Sequence, residues 1–244
     1  MTNRIVTVSR QLGSRGSYIA VQVAIALGWR YVDREVIRRA ASHAAVAIDT
    51  PQDGDPDAGA LRAAVDQIVA ALDGIPSVPV IASATLRESY HSDEMVADLI
   101  REEQLTRPEA ELKAVSGLST HDRLAQNPHI ARQLVRALAG MGGVVLVGRG
   151  AQVILGAHSG ACHVRVHAPA SLRADRLVQR MGIDPAAAHR QVRDSDRARA
   201  QHLMTAYGRN WTDVDLYHLV VNTGRVSVEM ATHLIVSMIE QPAV

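Results

Sequence analysis

Residues 9–17 near the start of the chain hold the side-chain types that bind and move phosphate. They read Ser-Arg-Gln-Leu-Gly-Ser-Arg-Gly-Ser, a polar stretch with two glycines, two arginines and three serines. The run Arg4 to Val8 before it is β-branched and apolar enough for a short buried strand. Tyr18 to Leu27 after it is helix-forming, with Ile19, Val23, Ala26 and Leu27 on one face and Gly28 as a stop. A strand that feeds such a loop into a helix N-terminus builds an anion cradle, because unpaired N–H groups and the helix dipole point at the loop. Gly13 and Gly16 let the backbone close on a phosphate where a Cβ would clash. The reading is a phosphate-binding loop formed by Arg10, Gly13, Ser14, Gly16 and Ser17. A tight strand–helix connection without a ligand is the alternative.

The usual loop of this kind, G-x-x-x-x-G-K-[ST], supplies a lysine to the terminal phosphates and a hydroxyl to Mg²⁺. This chain has one lysine, Lys113, far downstream. Counted from the end of the strand, Gly16 stands where that lysine belongs. Slid by one residue, Arg15-Gly16-Ser17 becomes the counterpart of Lys-Gly-Thr, with Arg15 as the charge and Ser17 as the metal hydroxyl. An arginine fork is not equivalent to an ammonium. A second concentration of charge runs from Arg165 to Arg209, with nine Arg against four Asp. Arginines grip phosphates bidentately, although an arginine-rich chain also follows from a genome's base composition.

The elements that must position these groups alternate. A strand-like run, Trp29 to Asp33, leads to a helix over 34–46 that carries Arg38 and Arg39. Thr50 to Gly59 is acidic and rich in breakers, a surface loop. Leu61, Val65, Ile68 and Leu72 mark a helix over 61–72, and 75–80 is extended. Mixed helical patterns fill 81–115, where Glu88, Asp93, Glu94, Asp98, Glu102 and Glu103 read as a solvated face. Asn127 caps a helix with Pro128 in its first turn and Gly140 past its end, with Ile130, Leu134, Val135 and Leu138 inward. Gly143 to Val147 is continuously apolar, as a strand covered on both faces would be. Cys162 to His167 alternates instead.

Helices follow over 151–155 at their start, over 170–181, and over 185–207 with Asp184 as cap. A last strand, 217–221, turns at Asn222-Thr-Gly224. Ser227 caps a closing helix with Val228, Ala231, Leu234, Ile235 and Met238 inward. Alternating strands and helices predict an α/β sandwich with a mostly parallel sheet.

Composition narrows the classes. At 244 residues and 47% hydrophobic content the chain buries a core, and its net charge is +1. No apolar run is long enough for a transmembrane helix, and no signal segment opens the chain. The lone Cys162 excludes a disulfide framework and fits a reducing cytoplasm. Aromatics are 3% with no Phe, too few for the stacking platforms that single-stranded nucleic acid needs. Membrane and nucleic-acid partners are not expected, and a homodimer is compatible with the composition.

With these pieces in place the chain resembles the cytidylate kinase-like family, within the P-loop nucleoside monophosphate kinases. The resemblance rests on Val8 to Ser17, on Ala24 to Gly28, on Tyr31-Val-Asp33, on Val147-Gly-Arg-Gly-Ala151, on Ala168-Pro169 with Arg173 and Arg176, on Asp196-Arg-Ala-Arg199, and on Tyr217 to Thr223. It implies a three-layer P-loop kinase-like sandwich over 1–244, with a helical or irregular insert at 48–126 and a LID-like segment at 184–212. It implies ATP and Mg²⁺ as cofactors, a small-molecule nucleotide as partner, and CMP or dCMP as phosphoryl acceptor. Asp33 with Arg39 six residues on, and Arg38 beside it, would hold the acceptor, as would Arg149. Arg15, Arg197 and Arg199 would act on the transferring phosphoryl group, where catalysis is mostly positioning and charge stabilisation.

The family's Gly-Arg-Asp is Gly148-Arg149-Gly150 here, so a carboxylate is missing along with the loop lysine. That motivates a second expectation, a nucleotide-binding regulatory module with impaired chemistry. Other descriptions fit some of the same residues. Arg190, Arg193, Asp194 and Arg197 have the spacing of surface ion pairs, Asp33 that of a helix cap, and Trp211 and Tyr207 either stack on a base or pack in the core. His163, His167, His202 and His218 lack metal-ligand spacing.

Overall fold

The structure, a computed structural model, describes residues 5–44, 58–72, 128–156 and 158–240. The expectations for 45–57 and 73–127, including most of the insert, lie outside the described residues. The chain divides into two compact units, one of residues 1–31 with 139–244 and one of residues 32–138.

The first unit is built on a sheet with strand order β2-β3-β1-β4-β5. Its strands are β1 (Ile5–Arg10), β2 (Arg30–Val32), β3 (Val144–Val147), β4 (Ala161–His167) and β5 (Leu219–Asn222). β1 runs parallel to both β3 and β4, and β4 parallel to β5. Parallel neighbours need crossovers, and helices supply them. They are α1 (Gly16–Leu27) and the single-turn α5 (Ala151–Ile154), followed by α6 (Ala170–Met181), α7 (Pro185–Tyr207) and α8 (Val228–Glu240). The expected mostly parallel α/β sheet is what forms.

Alternation along β1 separates two faces. Val6, Val8 and Arg10 point toward α1, while Thr7 and Ser9 pair in register with His163 and Arg165 of β4 on the other. The strand expected over 162–167 from its alternating sequence is β4, and its polar positions do not face water. His163 and Arg165 are buried. Thr7 Oγ1 lies 2.8 Å from His163 Nδ1, the His163 amide donates to His218 Nδ1 at 2.9 Å, and Trp211 Nε1 donates to Ser9 Oγ at 2.8 Å. The Arg165 guanidinium lies 4.5 Å over the Trp211 ring and 5.7 Å over Tyr217, and it donates to the Trp211 carbonyl. Buried polar groups survive when partnered, so alternation here marks a polar interior rather than solvent.

The second unit contains α2 (Arg34–His43), α3 (Ala58–Leu72) and most of α4 (Pro128–Met141). Leu61, Val65, Ile68 and Leu72 are buried, as are Ile130, Leu134, Val135 and Leu138.

Boundaries moved where local signals misled. α3 begins at Ala58, inside the expected loop, and α4 runs through Gly140 before Gly142 turns it at φ 68°. Residues 214–216 form a 3-10 turn, so the last strand starts at Leu219 rather than Tyr217. In α8 Leu234 faces out and Ile239 faces in, and in α1 Ala26 is exposed while Ala20 and Ala24 are buried.

Candidate functional site

The loop between β1 and α1 is held by its carbonyls. Gly13 takes φ 74° and Arg15, the N-cap of α1, takes φ 61°. The Ser14 amide and hydroxyl both donate to the Gln11 carbonyl, at 3.2 and 2.7 Å. Arg173 Nη1 then donates to the Leu12 carbonyl at 3.2 Å, Arg176 Nη1 to the Gly13 carbonyl at 3.1 Å, and Thr223 Oγ1 to the Ser14 carbonyl at 2.8 Å. Three consecutive carbonyls are thus drawn to one side. The first bond of the helix is Ile19 N–H to the Arg15 carbonyl, so the amides of residues 15–18 are those that helix geometry leaves without an intrahelical acceptor. Such a sorted turn offers donors to an anion.

Side chains brace it. Leu12 is buried among Ala174, Leu177, Ala188 and Val192, which plants the loop in the α6–α7 core. Arg173, 3% exposed, makes a two-pronged ion pair with Asp196 of α7, at 2.7 and 3.2 Å, and donates from Nε to the Ala168 carbonyl. Gln11 spans the same corner, donating to Asp196 Oδ2 and accepting from the Ala168 amide, both at 3.2 Å. A Cβ on Gly13 would stand 2.7 Å from the Arg173 carbonyl, so that position admits glycine alone on space as well as on φ.

Of the expected cations, Arg15 is exposed at the crest of the loop. Burial first, and the Arg15 charge second, lower the pKa of Arg176. A guanidinium whose charge is disfavoured in this way is what a polyanion relieves. Arg10 runs from the end of β1 to Ser17, its Nε donating to the buried Ser17 Oγ at 3.3 Å. Magnesium, which the resemblance implies, has that hydroxyl as its expected ligand. A divalent ion there would meet the Arg10 guanidinium, whose Nε already donates to that hydroxyl. The donors around Ser17 fit an anion, not a dication.

Beyond β3, Gly148, Arg149 and Gly150 all have positive φ, at 82°, 62° and 65°. The Arg149 carbonyl accepts from Tyr207 Oη at 3.2 Å, and the Arg149 charge helps lower the pKa of His202, after burial. A Cβ on Gly150 would lie 2.5 Å from the Tyr207 ring. Arg197 is exposed on α7, while the half-buried Arg199 donates to Ser195 Oγ one turn back.

In the second unit Asp33 is buried and its Oδ1 accepts from the Val36 amide at 3.0 Å, which makes it the cap of α2. Arg38 and Arg39 lie on α2, and their side chains are outside the described part. Trp211 and Tyr207 belong to a core cluster with Leu203 and Leu216. The Cys162 thiol is pushed up to about 11 by burial, which removes it as a nucleophile.

Sequence reasoning missed Asp196 and Gln11 as braces, and Thr223 as a loop contact. The spacing of Arg173 and Arg176 on one helical face was the available signal, since it aims two guanidiniums at one target.

Among the described residues no helix is long and apolar enough to cross a membrane. The cytidylate kinase of Methanopyrus kandleri is 27% identical over 172 residues, 66% of this chain and 86% of that protein. A uronate isomerase of Corynebacterium glutamicum is 34% identical over 134 residues, 51% of this chain. The chain spans only 26% of that relative's length. An uncharacterized protein of Eubacterium ventriosum, of solved structure, superimposes with a TM-score of 0.54 at 15% identity, over 98% of this chain and 99% of that one, a likeness of fold alone. Residues 5–225, from the first strand through the braced loop, the sheet and the Arg-bearing helices to the turn at Thr223, match a single family description. The chain belongs to the cytidylate kinase-like family.

Proposed function

We propose that the chain is an ATP-dependent nucleoside monophosphate kinase-like phosphotransferase with CMP or dCMP as acceptor. The observation that carries the reading is the sorting of the loop. Arg173, Arg176 and Thr223 take the carbonyls of Leu12, Gly13 and Ser14, which leaves the helix-start amides for a polyphosphate. In this reading Arg10, Gly13, Ser14, Gly16 and Ser17 bind the phosphates of ATP, and Arg15 at the crest meets the transferring group with Arg197 and Arg199 from α7. Acceptor binding is assigned to Arg149 and, in the second unit, to Asp33, Arg38 and Arg39. Mg²⁺ enters as a companion of the nucleotide phosphates, and nothing in the reading requires Ser17 to hold it. Guanidiniums around a transferring phosphoryl group stabilise its spreading charge and exclude water.

ADP release measured with CMP, dCMP, UMP and AMP tests this. Turnover is expected with CMP or dCMP, and no ADP above background with any acceptor at high enzyme concentration would end the enzyme reading.

One observation favours the second reading, a regulatory module that binds nucleotide without turnover. Position 150, where the family carries an aspartate, is closed by the Tyr207 ring and held at φ 65°. Thermal stabilisation by nucleotides in the absence of ADP formation would select that reading.

A further inference from the structure

We propose that Arg10 is the phosphate cation of this loop, standing in for the lysine missing at position 16, and that Gly16 is a glycine because the Arg10 stem passes over it. The proposal rests on the polyphosphate-binding reading above and assigns the charge within it.

The geometry carries the assignment. Arg10 ends β1 on the face that bears α1. A Cβ on Gly16 would stand 2.4 Å from Arg10 Cβ and 3.2 Å from its Cγ. The backbone of Gly16 is outside the left-handed region, so its conformation does not ask for glycine there; the Arg10 stem does, with Val166 Cβ a second close neighbour at 3.1 Å. At the far end, a Cβ on Gly148 would lie 2.9 Å from Arg10 Nη1. The Arg10 side chain therefore runs from the first turn of α1, where its Nε meets Ser17 Oγ, to the turn after β3. A lysine at 16 and an arginine at 10 cannot share that space.

The charge itself asks for a ligand. Arg10 is half-buried, and its one hydrogen bond among the described residues goes from Nε to the neutral Ser17 hydroxyl. Ion pairs such as Arg173 with Asp196 and Arg209 with Asp213 neutralise other arginines, and among the described residues none involves Arg10. A partly desolvated guanidinium without a carboxylate is costly until an anion arrives. Its planar fork leaves further N–H donors for a phosphate, in a geometry suited to two oxygens at once. Helix dipole and guanidinium favour the same anion at the same place. The ligand class is the di- or triphosphate tail of a nucleotide.

Calorimetric titration of the full chain with ATP and with inorganic tripolyphosphate, both in EDTA, decides the matter. Arg10→Gln is expected to weaken both ligands by about tenfold to a hundredfold, with an unfolding midpoint close to that of the unaltered chain. Gly16→Lys alone is expected to bind neither ligand. The exchange variant Arg10→Gly with Gly16→Lys removes the clash with Arg10 and leaves a 3.1 Å approach to Val166 Cβ that a small shift relieves. It moves the cation into the loop and is expected to recover affinity to within about tenfold. Arg10→Met keeps the stem's packing and serves with the same expectation should Arg10→Gln not fold. Unchanged affinity in the neutral variants overturns the proposal while leaving polyphosphate binding in place. So does a larger loss in Arg15→Gln than in Arg10→Gln. If the unaltered chain binds neither probe, the polyphosphate reading itself falls and this assignment with it.

Discussion

His163 shows how a single side chain can tie this fold to pH. Burial first, and the His218 imidazole second, push its pKa from 6.5 down to about 4. Between those values the unfolded chain takes a proton that the folded chain refuses, so stability falls as pH drops from 6.5 toward 4. With 1.36 kcal/mol per unit, the loss across the window is about 3 kcal/mol. His167 and His202 are also shifted down, mainly by burial, and act in the same direction. His163→Asn keeps an amide near Thr7 without the titration. Denaturant unfolding at pH 7.5 and pH 5 should therefore differ less in this variant than in the unaltered chain, and an equal difference would remove His163 as the cause.

Gly150 is a residue-scale case of another kind. Gly150→Ala meets both the positive φ, worth about 1 kcal/mol, and the Tyr207 ring. A loss of 1 kcal/mol or more, about that size by these principles, should appear in unfolding. A neutral substitution there would show that Tyr207 moves aside and that an aspartate could be restored.

Asp196 belongs to the scale of elements, because it joins α7 to α6 and both to the loop. Its pair with Arg173 is mostly buried, at 3% exposure on the arginine side and 27% on the aspartate side. Asp196→Asn leaves that guanidinium without its counter-charge, and removing one partner of a buried pair costs about 3 kcal/mol. Gln11 loses an acceptor in the same change. Unfolding should show the loss, and nucleotide affinity should drop with it because Arg173 also holds the Leu12 carbonyl. Asp196→Glu should restore part of both; a destabilised Asp196→Asn that binds nucleotide normally would separate the brace from the loop.

This pair also marks where reading by sequence stopped. Periodicity located α1, α6 and α7 and their caps, because local signals such as Gly28, Asp184-Pro185 and Gly182 act within a few residues. It placed Gly13 through Ser17 in one turn for the same reason. The ion pairs considered on α7 were helical neighbours, whereas the pair that forms crosses to another helix. No spacing rule encodes a contact between positions 173 and 196, or between 14 and 223; packing decides it. In β4 the strand was legible but the surroundings of its polar residues were not, since polar residues at alternate positions look alike whether they face water or partners such as Thr7 and Trp211.

The whole first unit is discontinuous in the chain. It takes residues 1–31 and then 139–244, and its central strand β1 comes from the first piece while its neighbours β3 and β4 come from the second. A fragment of residues 139–244 thus lacks the strand on which both neighbours pair. It should show little native-like circular dichroism, and addition of the remaining residues as a separate chain should be needed for recovery. A cooperatively folded fragment would show that the sheet tolerates loss of its centre.

Charge at this scale is local rather than global. With a net charge of +1 the molecule has little overall field to draw nucleotides in. The attraction in this reading comes from the guanidiniums at 10, 15 and 176, so ATP affinity should weaken clearly between low and physiological salt. Salt-independent affinity would place the binding energy in the base instead of the phosphates.

The position of β1 in the sheet has a bearing on how the protein is made. β1 is made before both of its sheet neighbours, and the last residue of β4 is 157 positions behind its own. At ordinary elongation speeds that delay is on the order of ten seconds. Until β3 is made, the apolar edges of Ile5, Val6 and Val8 have no native neighbour on either side, and one edge stays open until β4 follows. Nascent-chain holding factors, or a temporary non-native mate from the intervening residues, would be needed to keep that edge from others of its kind.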